Sequence, residues 1–205
     1  MAVDTTKDLT ELNAVNSVLG AIGQSPVTTL DFENPETSFV YNLIQECSRD
    51  VQDEGWVFNR EDYYPLTPNA DGEIIIPANI LRMDLSENDV YRCTDVIKRD
   101  GKLYDKIRHS FKFKGKFYFD IVWLFPFTDL PSVFQRYVTH MASGRAAVQL
   151  VDNPQLLQGL QQREAMSKAA CLEYECNQGD HNYMDFQPGT AYRSYRPYQA
   201  LRRYP

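Results

Sequence analysis

Apolar residues recur along this chain at helical spacing, then at strand spacing, then at helical spacing again. Leu12, Val15, Leu19 and Ile22 fall at steps of three and four, one stripe of a helix from about Lys7 to Ala21. Gly20 and Gly23 end it, and Gln24-Ser25-Pro26 reads as a loop. A second helix opens at Asn34-Pro35. Asn caps free amides, and proline at the first helical position has no amide to leave unpaired. Its buried face is predicted as Phe39, Val40, Leu43, Ile44, Cys47 and Val51, and Gly55 stops it.

From Phe58 to about Phe127 the period becomes two. Asn69-Ala-Asp71-Gly72 is a turn before Ile74-Ile75-Ile76, a buried-looking strand that Pro77 closes. Arg99-Asp100-Gly101-Lys102 carries the Asp-Gly signature of a tight hairpin between Val90–Lys98 and Leu103–Ile107. Phe111, Phe113, Phe117, Phe119, Ile121 and Trp123 alternate with Lys112, Lys114, Lys116 and Asp120. This predicts two strands, aromatic on one face and charged on the other, bent at Gly115.

Helical spacing returns after the Pro126–Pro131 corner. A third helix presents Phe134, Tyr137, Val138, Met141, Ala142 and Val148. A sharp break at Asp152-Asn153-Pro154 precedes a fourth, from about Pro154 to Asn177, with Leu157, Leu160, Ala165, Ala169, Leu172 and Cys176 turned inward. It spans about 36 Å, and Gly179 closes it. The predicted class is α+β. One discontinuous helical bundle takes residues 1–57 and 129–184, an antiparallel β insertion takes 58–128, and an extended Arg/Tyr-rich tail takes 185–205.

Composition adds little to this picture until charge is mapped. Of the 205 residues 43% are hydrophobic, and 13 are Tyr, a residue suited to half-buried surfaces. The net charge of -7 is a poor match to a DNA-coating surface. From Asp185 to Pro205, however, four Arg face one Asp. Cys47, Cys93, Cys171 and Cys176 form no C-x-x-C pair and read as reduced thiols. Neither a signal region nor a run of about 20 apolar residues is present, so we expect folding in a cytoplasm without a membrane partner.

Chemistry finds no foothold. His109, His140 and His181 lie apart from one another and from Cys at ligand spacing. Reading Asn69–Glu73 as a calcium loop puts Ala78 where the bidentate Glu belongs. Acidic pairs at Asp53-Glu54, Glu61-Asp62 and Glu173/Glu175 could serve a glycan hydrolase only if two carboxyls converged. Ser143-Gly144 lies within a helix and reads as a packing point. Thus no catalytic, metal or cofactor residue is expected. The tail, with Tyr192, Arg193, Tyr195, Arg196 and Tyr198, then Arg202 and Arg203, interleaves rings with guanidinium groups. Such a pattern grips single-stranded nucleic acid or anchors a protein interface. A strap for a protein partner is favoured, because the segment lacks a folded platform.

Six stretches together resemble the tail tubular protein A (adaptor, or gatekeeper) family of short-tailed bacteriophages. They are E-L-N-A-V-N-S-V-L-G-A-I-G-Q-S-P-V-T-T-L at Glu11–Leu30, G-W-V-F-N at Gly55–Asn59, L-Y-D at Leu103–Asp105, D-L-P-S-V-F-Q-R-Y-V at Asp129–Val138, C-L-E-Y-E at Cys171–Glu175 and N-Y-M at Asn182–Met184. The resemblance implies a virion tail protein forming a dodecameric ring between portal and nozzle (a tail tubular protein B type). It also implies that the ring lines part of the DNA ejection channel and offers docking ground for tail fibres. A closed ring needs two unlike complementary surfaces on each subunit. We expect the third and fourth helices to supply much of them, through Phe134, Tyr137, Arg145, Gln161, Arg163 and Lys168. The Arg/Tyr tail is expected to reach the portal. An acidic body would let DNA pass without sticking.

Overall fold

The computed structural model describes residues 5–86, 94–151 and 153–178, the first five as backbone alone. In chain order the elements are α1 (Thr5–Ala21), α2 (Pro35–Asp53), β1 (Arg60–Leu66), β2 (Ile80–Leu85), β3 (Val96–Arg99), β4 (Lys102–Asp105), β5 (Phe117–Trp123), α3 (Ser132–Leu150) and α4 (Pro154–Gln178). The α+β class and the helix–strand–helix order are as predicted. Local signals explain the helix starts. Asn34 Oδ1 accepts the Glu36 amide at 3.0 Å. Asn153 Oδ1 accepts the amides of Gln155 and Leu156 at 3.1 and 3.2 Å, each satisfying donors a helix N-terminus leaves open.

α3 is the central helix and packs against α1, α2 and α4. It can do so because it is buried on several sides. Phe134, Tyr137, Val138, Ala142 and Ala146 enter the core, and Ser143, Gly144 and Ala147 are buried with them. Val15, Val18 and Leu19 of α1 and Val40, Leu43, Ile44, Cys47 and Val51 of α2 complete the cluster with Trp56. Val148 departs from its predicted stripe. It is 64% exposed, on the rim of a groove between α3 and α4.

The larger correction concerns α4. Its packed face consists of Leu160, Ser167 and Cys171, with Leu157, Glu164 and Tyr174 half-buried. Ala165, Ala169, Leu172 and Cys176, predicted inward, are exposed. Both sets follow helical spacing, and they lie on opposite sides of the helix. Leu157 and Leu160 of the predicted set do lie on the packed side, but from Ala165 on apolarity selects the outer side, because the inward Ser167 has partners on α3 and within α4.

In the β part, β5 lies between β1 and β2, antiparallel to both. Phe117, Phe119 and Ile121 are buried as the alternation predicts. They join Ile74, Ile76, Ile80, Leu103 and Phe113 in a second hydrophobic cluster. The hairpin forms as β3–β4, with Asp100 and Gly101 at φ 51° and 72°, the two left-handed positions a type I′ turn requires. Its first strand begins at Val96 among the described residues. Two predicted strands are irregular instead. Ile74–Ile76 makes one bridge, Ile75 to Lys102, because Pro77 leaves too little chain for a ladder. Phe111–Phe113 is likewise not a strand, although the Phe113 amide donates to the Gly72 carbonyl at 2.8 Å.

Two buried amides hold the crossing between the clusters. Gln52 Oε1 accepts the Phe125 amide at 2.8 Å, and its Nε2 donates to Phe125 O and Ser48 Oγ, both at 3.0 Å. Asn59 Oδ1 accepts the Trp56 amide at 2.8 Å. Its Nδ2 donates to Gln52 O at 2.8 Å and Trp123 O at 2.9 Å. The outgoing chain at Gly55–Asn59 and the returning chain at Trp123–Phe125 are thereby tied to α2. Gly55 has φ 80°, and a Cβ there would come within 2.9 Å of the Arg82 guanidinium and 3.2 Å of Val122.

Candidate assembly surfaces

The six residues expected at a subunit contact do not share one surface. Phe134 and Tyr137 are 0% and 2% exposed. Both belong to the protomer's own core, because α3 is central rather than peripheral. Phe134 packs against Trp56, Phe58 and Tyr174, with ring centroids 5.0, 4.6 and 5.8 Å away. Burial raises the Tyr137 phenol above its ordinary pKa, and Lys168 beside it opposes that. Arg145 and Gln161 line the groove between α3 and α4, where Arg145 is paired with Asp50 at 2.6 Å. Lys168 lies 3.3 Å from Glu54. Arg163 is exposed beside His140. Tyr192, Arg193, Tyr195, Arg196, Tyr198, Arg202 and Arg203 lie outside the described residues, as do Gly179, His181 and Cys93.

The surface that sequence reasoning placed wrongly is the outer side of α4. Leu172 is 50% and Met166 64% exposed there, along with Ala165, Ala169 and Cys176. No described element covers this stripe. The available signal was that α4 carries two stripes, of which the polar one runs through Ser167 to face α3.

His140 and Ser167 join α3 to α4. Ser167 gives its hydroxyl hydrogen to the Arg163 carbonyl at 2.9 Å. The contact of 2.5 Å between His140 Nδ1 and Ser167 Oγ is therefore donated by the imidazole, which sets its tautomer. Burial, then the cations Arg163 and Arg136, hold His140 below its ordinary pKa, with a backbone hydrogen bond at Arg163 and the Glu164 carboxylate opposing. The folded state thus prefers the neutral ring, and the unfolded chain takes up the proton at higher pH. The resulting stability is full above the ordinary histidine range and declines as pH falls through it. Urea midpoints measured between about pH 7.5 and 5 should fall more steeply for the wild type than for His140→Asn, whose amide keeps the donor. Equal slopes would remove this role.

One member of each acidic pair has a structural partner. Glu175 accepts the Val57 amide with both oxygens at 3.0 Å, Asp62 pairs with Arg60 at 2.9 Å, and Glu54 meets Lys168. An open groove of about 740 Å³ between α2 and Leu124–Pro126 is lined by one carboxylate, Glu46, where glycoside hydrolysis uses two. Ser143 donates to Thr139 O at 2.8 Å. Burial pushes the thiols of Cys47 and Cys171 up to about 12 and about 11, which makes them poor nucleophiles. Among the described residues no three His, Cys, Asp or Glu side chains gather as metal ligands. No described helix is long and apolar enough to cross a membrane.

These features describe a chain organised around packing faces. The sequence is 29% identical over 136 residues to tail tubular protein A of Klebsiella phage KP34, covering 66% of this chain and 70% of that protein. The family model described as "Tail tubular protein" matches residues 12–181. With most of its length matched, this chain belongs to the tail tubular protein family.

Proposed function

We propose that this chain is a structural, non-enzymatic component of a phage virion tail that assembles with copies of itself into an adaptor ring. The ring joins the portal to the nozzle, lines part of the DNA ejection channel without reading its sequence, and offers ground for tail fibres. It is built in the host cytoplasm, and the family resemblance gives twelve copies. In this reading residues 1–57 and 129–184 form the ring body, 58–128 protrude from it, and the basic tail 185–205 reaches the portal.

The observation that carries the reading is the uncovered apolar stripe of α4. Ala165, Ala169, Leu172 and Cys176 sit on the side of a 25-residue helix facing away from α3. A helix that is apolar on both sides is expected to be packed on both, and a neighbouring subunit is the natural second cover. Electron microscopy of the chain mixed with its portal should show rings stacked on the portal. Leu172→Glu should abolish those rings and move the thermal midpoint of the monomer little, since an exposed substitution costs about 0.5 kcal/mol or less. Rings that form normally from Leu172→Glu would remove α4 from the contact.

A further inference from the structure

The net charge of -7 conceals two stretches of opposite charge. From Thr94 to Phe119 eight Lys/Arg stand against three Asp, whereas from Thr10 to Val57 eight Asp/Glu stand against one Arg. Part of this basic run gathers on one face of the β3–β4 hairpin. Register pairs Ile97 with Tyr104 and Arg99 with Lys102 across the β3–β4 hairpin, so these four share a face. The bridge from Ile75 to Lys102 adds Ile75 to it. The other face, with Leu103 and Asp105, is buried.

This outward face has no cover among the described elements. Ile75 is 63% and Ile97 48% exposed. Arg99 lies over the Tyr104 ring, 4.2 Å from its centroid, and Tyr104 packs on Phe111 at 4.9 Å. Lys102 and Lys106 are paired with Glu73 and Asp95 at 2.6 Å. Lys112 and Lys114, in the segment that adjoins this face through Phe111, are exposed and have no acidic partner among the described residues. A surface that mixes exposed aliphatic side chains with cations suits a protein partner better than a phosphate backbone. Isoleucine gains from burial against carbon, whereas phosphate contacts are made by cations and polar groups.

We propose that this face docks on the acidic entrance to α2 in a second copy of the chain, at Asp31, Phe32, Glu33 and Glu36. Those acids are exposed, and none is ion-paired among the described residues. Phe32, 55% exposed between them, offers the apolar counterpart to Ile75 and Ile97. Each copy carries one surface of each sign, so the contact runs head to tail and propagates around a ring. Opposite charge also fixes which surfaces meet and discourages self-pairing of like faces. The inference rests on the ring reading above and assigns it a second contact, distinct from the α4 stripe.

The test is a charge exchange in the full chain, read by sedimentation velocity and by ring counts on the portal. Arg99→Glu/Lys112→Glu/Lys114→Glu and Asp31→Lys/Glu33→Lys/Glu36→Lys should each weaken association by about tenfold or more. Each should keep the wild-type circular dichroism and thermal midpoint. An equimolar mixture of the two should recover association, because each reversed surface then meets its complement. Wild-type association should also weaken between about 0.05 and 0.5 M salt. Normal rings from both triple variants would overturn this contact and leave the α4 ring standing. Unchanged association together with loss of DNA-oligonucleotide binding in the first variant would also overturn it, assigning the face to nucleic acid. A wild-type chain that never associates, even with portal, would overturn both readings.

Discussion

Phe134→Ala is expected to remove about 3–5 kcal/mol of folding stability, the range for truncating a fully buried aromatic. Such a loss is a large fraction of the stability of an ordinary domain. Phe134 is 0% exposed and its ring meets Trp56 and Phe58 from the chain that leaves α2, and Tyr174 from α4. Truncation therefore opens a cavity between three segments that cannot all collapse into it. Chemical denaturation of the variant should show a lower midpoint with an unchanged slope. Ring formation would then be lost through unfolding and recovered by lowering the temperature. Phe134→Leu, which keeps most of the volume, should lose a minor part of this. If Phe134→Ala keeps its midpoint yet fails to form rings, the residue belongs to a subunit contact after all, as its place on the third helix had led us to expect from sequence.

That expectation illustrates what was legible in the sequence. Helix starts were readable because capping is local. Asn34-Pro35 and Asn153-Pro154 need no knowledge of the rest of the chain. The Asp100-Gly101 turn and the alternation of Phe117, Phe119 and Ile121 were readable for the same reason. Which side of a helix meets which neighbour is not local. α4 presents two stripes, and four of the six residues chosen for apolarity point outward, because His140 of α3 supplies a partner for the inward Ser167. Phe134 and Tyr137 were assigned to a surface because nothing in a one-dimensional pattern reveals that α3 has helices on three sides. The basic sheet face was hidden for another reason. Its residues come from Ile75, β3 and β4, and only strand register brings them together.

Gln52→Leu is expected to cost about 2–4 kcal/mol, the sum of lost hydrogen bonds and newly unpaired buried groups. The side chain is 0% exposed and meets both the amide and the carbonyl of Phe125, 73 residues along the chain. Leucine fills the space but leaves those two backbone groups and the Ser48 hydroxyl without their partner. Gln52→Glu separates polarity from shape. A carboxylate could accept from the Phe125 amide but would oppose the Phe125 carbonyl. Burial and that carbonyl both favour the protonated acid, so its folded pKa must lie above the unfolded carboxyl value of about 4.3. The unfolded chain then releases its proton at lower pH than the folded one, and stability falls as pH rises from the unfolded value towards the folded one. Urea unfolding should therefore show the loss of Gln52→Glu relative to wild type widening as pH rises from about 5 to about 7.5. Hydrogen exchange should report the same loosening at the Phe125 amide and in β5. A pH-independent Gln52→Glu with wild-type stability would mean that this amide does not hold the β part to the helices.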